Sequence, residues 1–258
     1  MKSLKAEIKI HCLGGIELEK LKLFCLPFAG GSAMAYMSWR KQLDKRIDLK
    51  PIELSGRGKR FGEPLYHSID EVIEDIYVQI SDELYGTSYA VFGHSMGAIL
   101  AYELIRKIIH HTKQEPIHVF LSGRYPPYIE AEEKNVYLLP DKEFIDSIIE
   151  LGGTNKEVVN NKELLDLFLP ILRSDYKLVE TYKHSGSILS LNCDITVLNG
   201  KYDNCIIGKD INRWREYTNK TCSFYEFEDG HFFINKFKED VIGIINSELL
   251  MDKAISKK

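Results

Sequence analysis

The residues from Gly93 to Gly97 carry the pattern Gly-x-Ser-x-Gly, in which one serine stands between two glycines. A serine hydroxyl is a weak nucleophile unless a base, usually a histidine, removes its proton and an acid holds that histidine in the right tautomer. The pattern alone is weak evidence, because glycine and serine are common residues. Its context is stronger, since the strand-like run Tyr89–His94 precedes Ser95 and a helical pattern follows it. The sequence therefore predicts a nucleophile elbow, with Ser95 at a strand-to-helix turn.

His231 is the histidine that the order of the chain best places beside Ser95. Five of the eight histidines follow the serine, as the order serine, acid, histidine requires. His231 comes after the strand-like run Ser223–Glu228, so we expect it at the carboxyl edge of the sheet, where Ser95 lies. Of the other four histidines, His110 and His111 end a helix, and His118 opens a strand at the opposite edge of the sheet. His184 follows no strand. The sequence therefore predicts His231 as the general base.

Asp203 is the acid that the same reasoning favours. It follows the strand-like run Asp194–Gly200 and precedes His231 in the chain. Asp175, in a helical segment, and Asp229, next to the histidine, are the alternatives. Asp229 is too near in sequence to reach around the imidazole ring comfortably, so Asp203 is the predicted third member of the set.

Hydrolysis also needs N–H donors aimed at the oxyanion that forms on the substrate. At a nucleophile elbow the first donor is the residue after the serine, here Met96, and the second comes from the loop after an earlier strand. That loop is Pro27–Ser32, whose glycines at positions 30 and 31 allow the backbone to turn its N–H groups inward.

Short strand-like runs alternate with longer helical patterns along the chain. The runs are rich in Val, Ile, Phe or Tyr, and they are Leu21–Phe28, Leu49–Leu54, Tyr89–His94, His118–Gly123, Asp194–Gly200 and Ser223–Glu228, with Ala6–His11 as an additional edge strand. The helical patterns are Ser68–Leu84, which opens with the capping-box pair Ser68 and Glu71, Ser95–Ile109 and Phe232–Leu250. This alternation predicts an α/β fold, a mostly parallel sheet flanked by helices.

One stretch interrupts the alternation. About seventy residues between Gly123 and Asp194 contain no convincing strand, but they hold two helical patterns, Asp141–Leu151 and Lys162–Tyr182. A connection of that length carries structure or function of its own. We therefore expect a single domain over residues 1–258, with an inserted helical lid over residues 126–186, after the strand that follows the nucleophile helix.

Composition and charge exclude several classes of protein. The 258 residues are 44 % apolar and 28 % charged, the proportions of an ordinary globular domain, and the formal charge of −4 gives no reason to expect nucleic acid as a partner. No apolar run approaches the about 20 residues that a membrane-spanning helix needs, and the first residues lack the apolar core of a secretory signal. The five cysteines form no Cys-x-x-Cys pair, so we expect reduced thiols and a cytoplasmic protein.

Other chemical features are weaker. The sequence has no His-Glu-x-x-His, no phosphate-binding loop and no complete Gly-x-Gly-x-x-Gly, so we expect no metal and no cofactor. Cys205 follows Asp203 by two residues and is expected to be a packing residue, because no histidine is expected near it. The basic segment Arg57–Arg60 has two interpretations: a contact for a phosphate or an acidic partner, or, as we favour, a solvated loop with local ion pairs.

Seven sequence blocks, taken together and in order, resemble the type II thioesterases associated with nonribosomal peptide and polyketide synthases, which are α/β-hydrolases. The blocks are LPFAGGSA (Leu26–Ala33), LSGRGKRFGEP (Leu54–Pro64), FGHSMGA (Phe92–Ala98), LGGT (Leu151–Thr154), LPILRSDYKLVETY (Leu169–Tyr182), GKYD (Gly200–Asp203) and DGHFFI (Asp229–Ile234). The resemblance implies Ser95, Asp203 and His231 as a catalytic triad. It also implies the N–H groups of Met96 and Ala29 as the oxyanion hole, and a mobile lid over an acyl and pantetheine channel.

The same resemblance implies an activity and a partner. Such enzymes hydrolyse acyl groups from the phosphopantetheine arm of acyl or peptidyl carrier proteins, which edits and regenerates the synthases, and they need neither metal nor membrane. A carboxylesterase or lipase acting on free small-molecule esters would use the same triad and is the alternative; a third hypothesis is a hydrolase fold kept as a binding module. Two positions depart from the family's pattern: Phe28 stands where His or Tyr is frequent, and Ser55 where Pro is usual.

Overall fold

Six strands form one parallel sheet through the middle of the molecule. They are β1 (Leu21–Leu26), β2 (Ile47–Pro51), β3 (Tyr89–His94), β4 (His118–Ser122), β5 (Asp194–Gly200) and β6 (Cys222–Phe227). In the computed structural model, which describes residues 20–129, 135–153 and 161–251, the strand order is β2-β1-β3-β4-β5-β6. The five pairings among these strands are parallel, so their carboxyl ends share one edge of the sheet. The predicted strand Ala6–His11 lies outside the described residues.

Helices cover both faces of this sheet, which confirms the predicted α/β fold. The α-helices of the described residues are α1 (Met34–Met37), α2 (Ile69–Leu84), α3 (Met96–Thr112), α4 (Asp141–Leu151), α5 (Lys162–Thr181), α6 (Phe233–Lys236) and α7 (Lys238–Met251). Short 3₁₀ segments are Ser38–Lys41, Gly58–Arg60, Val136–Leu138 and Ile211–Tyr217. Within the described ranges, no helix is both long enough and apolar enough to cross a membrane.

Alternate side chains of β3 enter two different cores. Tyr89 and Val91 pack with the apolar faces of α2 and α3, whereas Ala90 and Phe92 pack with α1 and α7 on the other side of the sheet. All residues of β3 are buried, as expected of a parallel strand that is covered on both faces. β3 is therefore a firmly packed base for Ser95, which follows it directly.

The predicted bounds of four strands agree with the structure to within one residue at each end. β3 and β5 have the predicted bounds, β4 ends one residue earlier than predicted, and β6 both begins and ends one residue earlier. β1 ends at Leu26 instead of Phe28, because Pro27 has no N–H with which to continue the ladder. β2 is Ile47–Pro51 instead of Leu49–Leu54, and it is an edge strand, where one-sided packing weakens the apolar pattern.

Two helix predictions need correction. Ser68 caps α2 as expected, its Oγ accepting the Glu71 N–H at 3.2 Å, but the Glu71 carboxylate accepts from the His67 N–H at 2.7 Å instead of from Ser68. The predicted helix Phe232–Leu250 is two helices, α6 and α7. They are separated at Phe237, whose ring packs against the core between α7 and the sheet.

The predicted helices of the insertion are present between β4 and β5. α4 has the predicted bounds, and α5 ends one residue earlier than predicted. Phe144 and Ile148 of α4 pack against Leu172 of α5 in a small apolar cluster separate from the two cores of the sheet. The two helices therefore pack against each other as well as over the carboxyl edge of the sheet.

Candidate active site

Ser95 occupies the turn between β3 and α3 in a strained conformation. Its φ of 54° and ψ of −116° are values that a residue with a side chain rarely adopts, and such strain clusters at functional sites. A Cβ at Gly93 would lie 2.0 Å from the Gly97 oxygen, and a Cβ at Gly97 would lie 2.3 Å from the Leu26 oxygen. The two glycines of the pattern are therefore required by the close approach of β1, β3 and α3.

A series of hydrogen bonds joins the side chains of Ser95, His231 and Asp203. Nε2 of His231 lies 2.9 Å from Oγ of Ser95, and Nδ1 lies 2.7 Å from Oδ2 of Asp203. Because an ionised carboxylate only accepts, Nδ1 carries a proton, and in the neutral imidazole Nε2 presents its lone pair to the serine hydroxyl. Asp203 and His231 are buried, and the loops that carry them meet at Gly200, where a Cβ would lie 2.1 Å from the Gly230 oxygen.

The two alternative acids are engaged elsewhere. The Asp175 carboxylate accepts from Arg57 and from the Gly30 N–H, and Oδ1 of Asp229 accepts from the Gly230 N–H at 2.9 Å. Of the three acids weighed from the sequence, Asp203 is the one that the structure places against the imidazole.

Opposing effects set the protonation of His231. Burial lowers the pKa of His231, but its hydrogen bonds with Asp203 and Cys205 outweigh that effect and raise the pKa to about 9. The ring of His94 lies 5.0 Å from that of His231, and burial holds the pKa of His94 well below its usual value. His94 is therefore neutral, and its Nδ1 lies 2.9 Å from Oγ of Ser122.

Cys205 lies beside the histidine, so the expectation that no histidine would be near it is wrong. Asp203, Cys205 and His231 each have one side-chain atom that could ligate a metal, and these three atoms lie within 4.8 Å of one another. The Cys205 N–H donates to Oδ1 of Asp203 at 2.8 Å, which helps to fix the carboxylate. The thiol is partly exposed, whereas the other described cysteines, Cys25, Cys193 and Cys222, are buried free thiols. Cys205 and His231 lie near each other because the loops after β5 and β6 meet closely.

The loop after β1 forms a turn beside Ser95. The Gly31 N–H donates to the Phe28 oxygen at 2.8 Å, and Gly30 has a φ of 74°. The Gly30 N–H is already bonded to the Asp175 carboxylate, at 2.7 Å. Ala29, between Phe28 and Gly30, lines the same cavity as Ser95.

Met96 is the first residue of α3, and the first N–H groups of a helix have no acceptor within the helix. The structure thus brings both sequence-predicted donor residues, Ala29 and Met96, to the vicinity of Ser95.

Arg57 and Asp175 form a buried ion pair that holds this loop. Nη1 and Nη2 of Arg57 donate to the two carboxylate oxygens of Asp175 at 2.6 and 2.8 Å, and Nη1 also donates to the Gly31 oxygen at 3.1 Å. The two side chains are only 3 % and 1 % exposed. Asp175 belongs to α5, so an ion pair ties the inserted helix to the loop that carries Ala29. No motif or spacing of these two residues along the chain predicts the pair.

This ion pair corrects the interpretation of the basic segment Arg57–Arg60. Arg57 is neither solvated nor available to a partner, and Arg60 bonds Asp75 and Glu63. Lys59 alone of the three cations in the segment is exposed. Local ion pairs are therefore confirmed, whereas a phosphate contact by the arginines is not supported.

The two departures from the family's pattern both have structural roles. The Phe28 ring stands edge-on to the rings of His94 and Phe232, at centroid distances of 6.0 and 5.0 Å. Oγ of Ser55 donates to the Pro64 oxygen at 2.6 Å and so closes the loop that contains Arg57. A hydrogen bond thus constrains this loop where the family usually has a proline ring.

A cavity of about 500 Å³ lies above the triad. The sheet side contributes Ala29, Ser95, Cys205 and His231, and the inserted helices contribute residues such as Leu151, Tyr176 and Val179. The reactive hydroxyl therefore faces a space that is closed in part by α4 and α5.

A family model described as a thioesterase domain matches residues 21–249 of this chain. Among similar proteins, the gramicidin S biosynthesis protein GrsT of Aneurinibacillus migulanus is 34 % identical over 230 residues, which cover 89 % of this chain and 89 % of that protein.

Solved structures of similar proteins share the fold along nearly the whole chain. ClbQ from the colibactin NRPS/PKS pathway has 37 % sequence identity and a TM-score of 0.85, with 89 % of this chain and 97 % of that chain covered. The type II thioesterase BorB from the borrelidin cluster has 31 % identity and a TM-score of 0.82, with 90 % and 94 % covered. The chain therefore belongs to the thioesterase domain family, whose members are serine hydrolases with the α/β-hydrolase fold.

Proposed function

We propose that this chain hydrolyses acyl thioesters carried on the phosphopantetheine arm of acyl or peptidyl carrier proteins, with Ser95 as nucleophile, His231 as general base and Asp203 as the acid that orients it. The main support is the series of hydrogen bonds from Ser95 through His231 to Asp203 below a cavity, in a chain of the thioesterase family. The chemistry of each step follows from these contacts.

Acylation begins with a proton transfer from Ser95 to His231. Nδ1–H of His231 donates to Asp203, so the lone pair on Nε2 faces Oγ of Ser95 at 2.9 Å. As Oγ attacks the thioester carbonyl carbon, Nε2 takes the hydroxyl proton, and the imidazolium is stabilised by the Asp203 carboxylate. The carbonyl oxygen becomes an oxyanion.

The oxyanion is stabilised by the backbone N–H groups of Ala29 and Met96. The Gly30 N–H is already bonded to Asp175, which favours Ala29 as the donor from this loop. The dipole of α3 adds to the effect, because its amino-terminal end lies at Ser95. Fixed donors of this kind stabilise a charge that develops only in the transition state.

Collapse of the tetrahedral intermediate breaks the C–S bond. Pantetheine leaves as a thiol with the proton that His231 returns, and the acyl group remains esterified to Ser95. Water then attacks the ester while Nε2 takes one of its protons. The second collapse gives the carboxylic acid and restores the Ser95 hydroxyl.

Residues 126–186 act in this scheme as a lid within a single-domain hydrolase. α4 and α5 form part of the cavity wall, and α5 contacts the oxyanion loop through Asp175. The lid would hold the acyl group and pantetheine above Ser95, and its shape would set the acyl preference.

The relatives support a partner and a cellular role for this proposal. GrsT is named for gramicidin S biosynthesis, and ClbQ comes from a pathway of nonribosomal peptide and polyketide synthases. By this likeness the chain serves such a synthase in the cytoplasm and regenerates carrier proteins blocked by unwanted acyl groups.

A matched pair of substrates separates this activity from the alternative carboxylesterase or lipase. The same short acyl group is presented on a carrier protein as the pantetheine thioester and on a small alcohol as a free oxygen ester. We expect the larger kcat/KM on the carrier-bound thioester. A larger kcat/KM on the free oxygen ester would support the alternative, and failure of Ser95 to react with a fluorophosphonate would support the non-enzymatic binding module.

The pKa of His231 predicts how activity depends on pH. The base must be neutral to accept the serine proton, and a pKa of about 9 leaves most of it protonated at neutral pH. We expect kcat/KM to rise with pH from 7 and to level off near that pKa. Cys205→Ala removes one contact that raises the pKa of His231. The pH profile of kcat/KM of this variant should therefore lie at lower pH than that of the wild type, when the two proteins are measured in buffer with a chelator. An unshifted profile in Cys205→Ala would show that the thiol does not influence the base.

A further inference from the structure

Two members of the triad and the neighbouring Cys205 together offer three atoms that can bind a metal, next to the cavity. The Cys205 sulfur, a carboxylate oxygen of Asp203 and a ring nitrogen of His231 lie within 4.8 Å of one another. Asp203 and His231 are buried, whereas Cys205 is partly exposed and lines the cavity that contains Ser95. Thiolate, imidazole and carboxylate are the ligand types that zinc takes in proteins. Hydrolysis uses Asp203 and His231 but gives the thiol no chemical step.

We propose that Asp203, Cys205 and His231 form an inhibitory site for zinc or a similar thiophilic divalent cation, which enters through the cavity. Three protein ligands and one water complete a tetrahedral zinc ion, and bonds of about 2.0–2.3 Å place the ligand atoms about 3.3–3.7 Å apart. The 2.7 Å between Nδ1 of His231 and Oδ2 of Asp203 is shorter than that. The metal therefore enters only by opening the hydrogen bond on which hydrolysis depends, so metal binding and catalysis exclude each other.

Metal binding would also fix the wrong tautomer of His231. In the protonated imidazole, the metal displaces the proton on Nδ1, which faces Asp203, while Nε2 keeps its proton; the Cys205 thiol also loses its proton, and both protons go to solvent. Two protons therefore leave for each metal that binds this form. Nε2 then donates and cannot accept the Ser95 proton. The binding follows from the ligand set alone, whereas the inhibition also rests on the proposed role of His231 as the base.

Cadmium is the probe for the binding step, because a bond between thiolate and cadmium gives an ultraviolet charge-transfer band. The full-length wild type, Cys205→Ala and Cys222→Ala are titrated with cadmium. Cys222 is the matched control, since it is a buried thiol at the start of β6, the end of the strand away from the site. We expect a saturable band in the wild type and in Cys222→Ala and its loss in Cys205→Ala.

The second experiment measures inhibition of hydrolysis by zinc. Hydrolysis of a soluble thioester is followed with increasing zinc and again after a chelator is added. We expect reversible inhibition of the wild type and of Cys222→Ala. The half-inhibitory zinc concentration should be at least about tenfold higher for Cys205→Ala, since even the loss of an outer partner of a metal ligand costs that much affinity. Equal zinc sensitivity in Cys205→Ala, or no cadmium band in the wild type, overturns the proposal.

His231→Ala keeps the thiol and tests whether the cluster, rather than Cys205 alone, holds the metal. We expect cadmium to bind this variant at least about tenfold more weakly. Unchanged affinity would contradict the three-ligand site. A wild type that binds cadmium through Cys205 and His231 but hydrolyses no thioester would support the metal site and refute the proposed function, so the two failures can be told apart.

Discussion

Asp203→Asn is expected to lower kcat by about four orders of magnitude, as the same change does in a serine protease triad. The Cys205 N–H donates to Oδ1 of Asp203, so an asparagine would keep its oxygen there and turn its NH₂ group to His231. The NH₂ group donates, so Nδ1 would have to accept and the imidazole proton would move to Nε2, facing Ser95. In that tautomer the histidine cannot take the serine proton. Steady-state hydrolysis of an acyl thioester, with a thermal melt to show that the variant is folded, measures the effect.

Asp229→Asn is the matched control for this experiment. Asp229 is the neighbour of His231 that the sequence left as an alternative acid, and its carboxylate accepts from the Gly230 N–H. We expect a kcat near that of the wild type. The reverse result, with activity kept in Asp203→Asn and lost in Asp229→Asn, would show that the assignment of the acid is wrong.

Arg57→Ala should have the second largest effect, on stability and on rate together. It leaves the Asp175 carboxylate buried with one backbone N–H as its described partner, and breaking a buried ion pair in this way costs about 3–5 kcal/mol of unfolding free energy. It also frees the Gly31 oxygen and loosens the turn that carries Ala29. A misplaced oxyanion donor lowers kcat by up to about 10²–10³. Urea unfolding and kcat, with KM determined separately, measure the two effects.

A double replacement separates the two effects. In Arg57→Met with Asp175→Leu no charge is left buried, and replacing such a pair by apolar side chains is often neutral for stability. We expect the unfolding free energy to recover and kcat to stay low, because the turn is still unanchored. Arg60→Met is the control, since it removes a partly exposed cation whose ion pairs are worth about 1 kcal/mol. A double variant with the kcat of the wild type would refute a positioning role for the pair.

The elements that carry Ser95, Asp203 and His231 could be predicted from the sequence because their signals are local. β3 and β5 are short apolar runs with buried faces on both sides, and their predicted bounds agree with the structure. In a parallel sheet, the carboxyl ends of such strands lie at one edge. The order of the three residues along the chain thus sufficed to place them near one another, without any information on distances.

The contacts that the sequence did not reveal all join distant segments. Arg57 and Asp175 lie on a loop and on an inserted helix, and only the packing of α5 over the turn after β1 brings them together. Cys205 reaches His231 because the loops after β5 and β6 meet closely. No periodicity or local motif encodes either contact, so residue types alone gave a solvated loop for Arg57 and a packing residue for Cys205.

The most direct test follows the acyl group itself. A carrier protein loaded with a short acyl group on its phosphopantetheine arm is incubated with the wild type or with Ser95→Ala, and its intact mass is followed. The triad account predicts that the wild type removes the acyl mass and leaves the free thiol form, whereas Ser95→Ala leaves the acyl group in place. An acyl group retained with the wild type, or removed equally fast by Ser95→Ala, would contradict it.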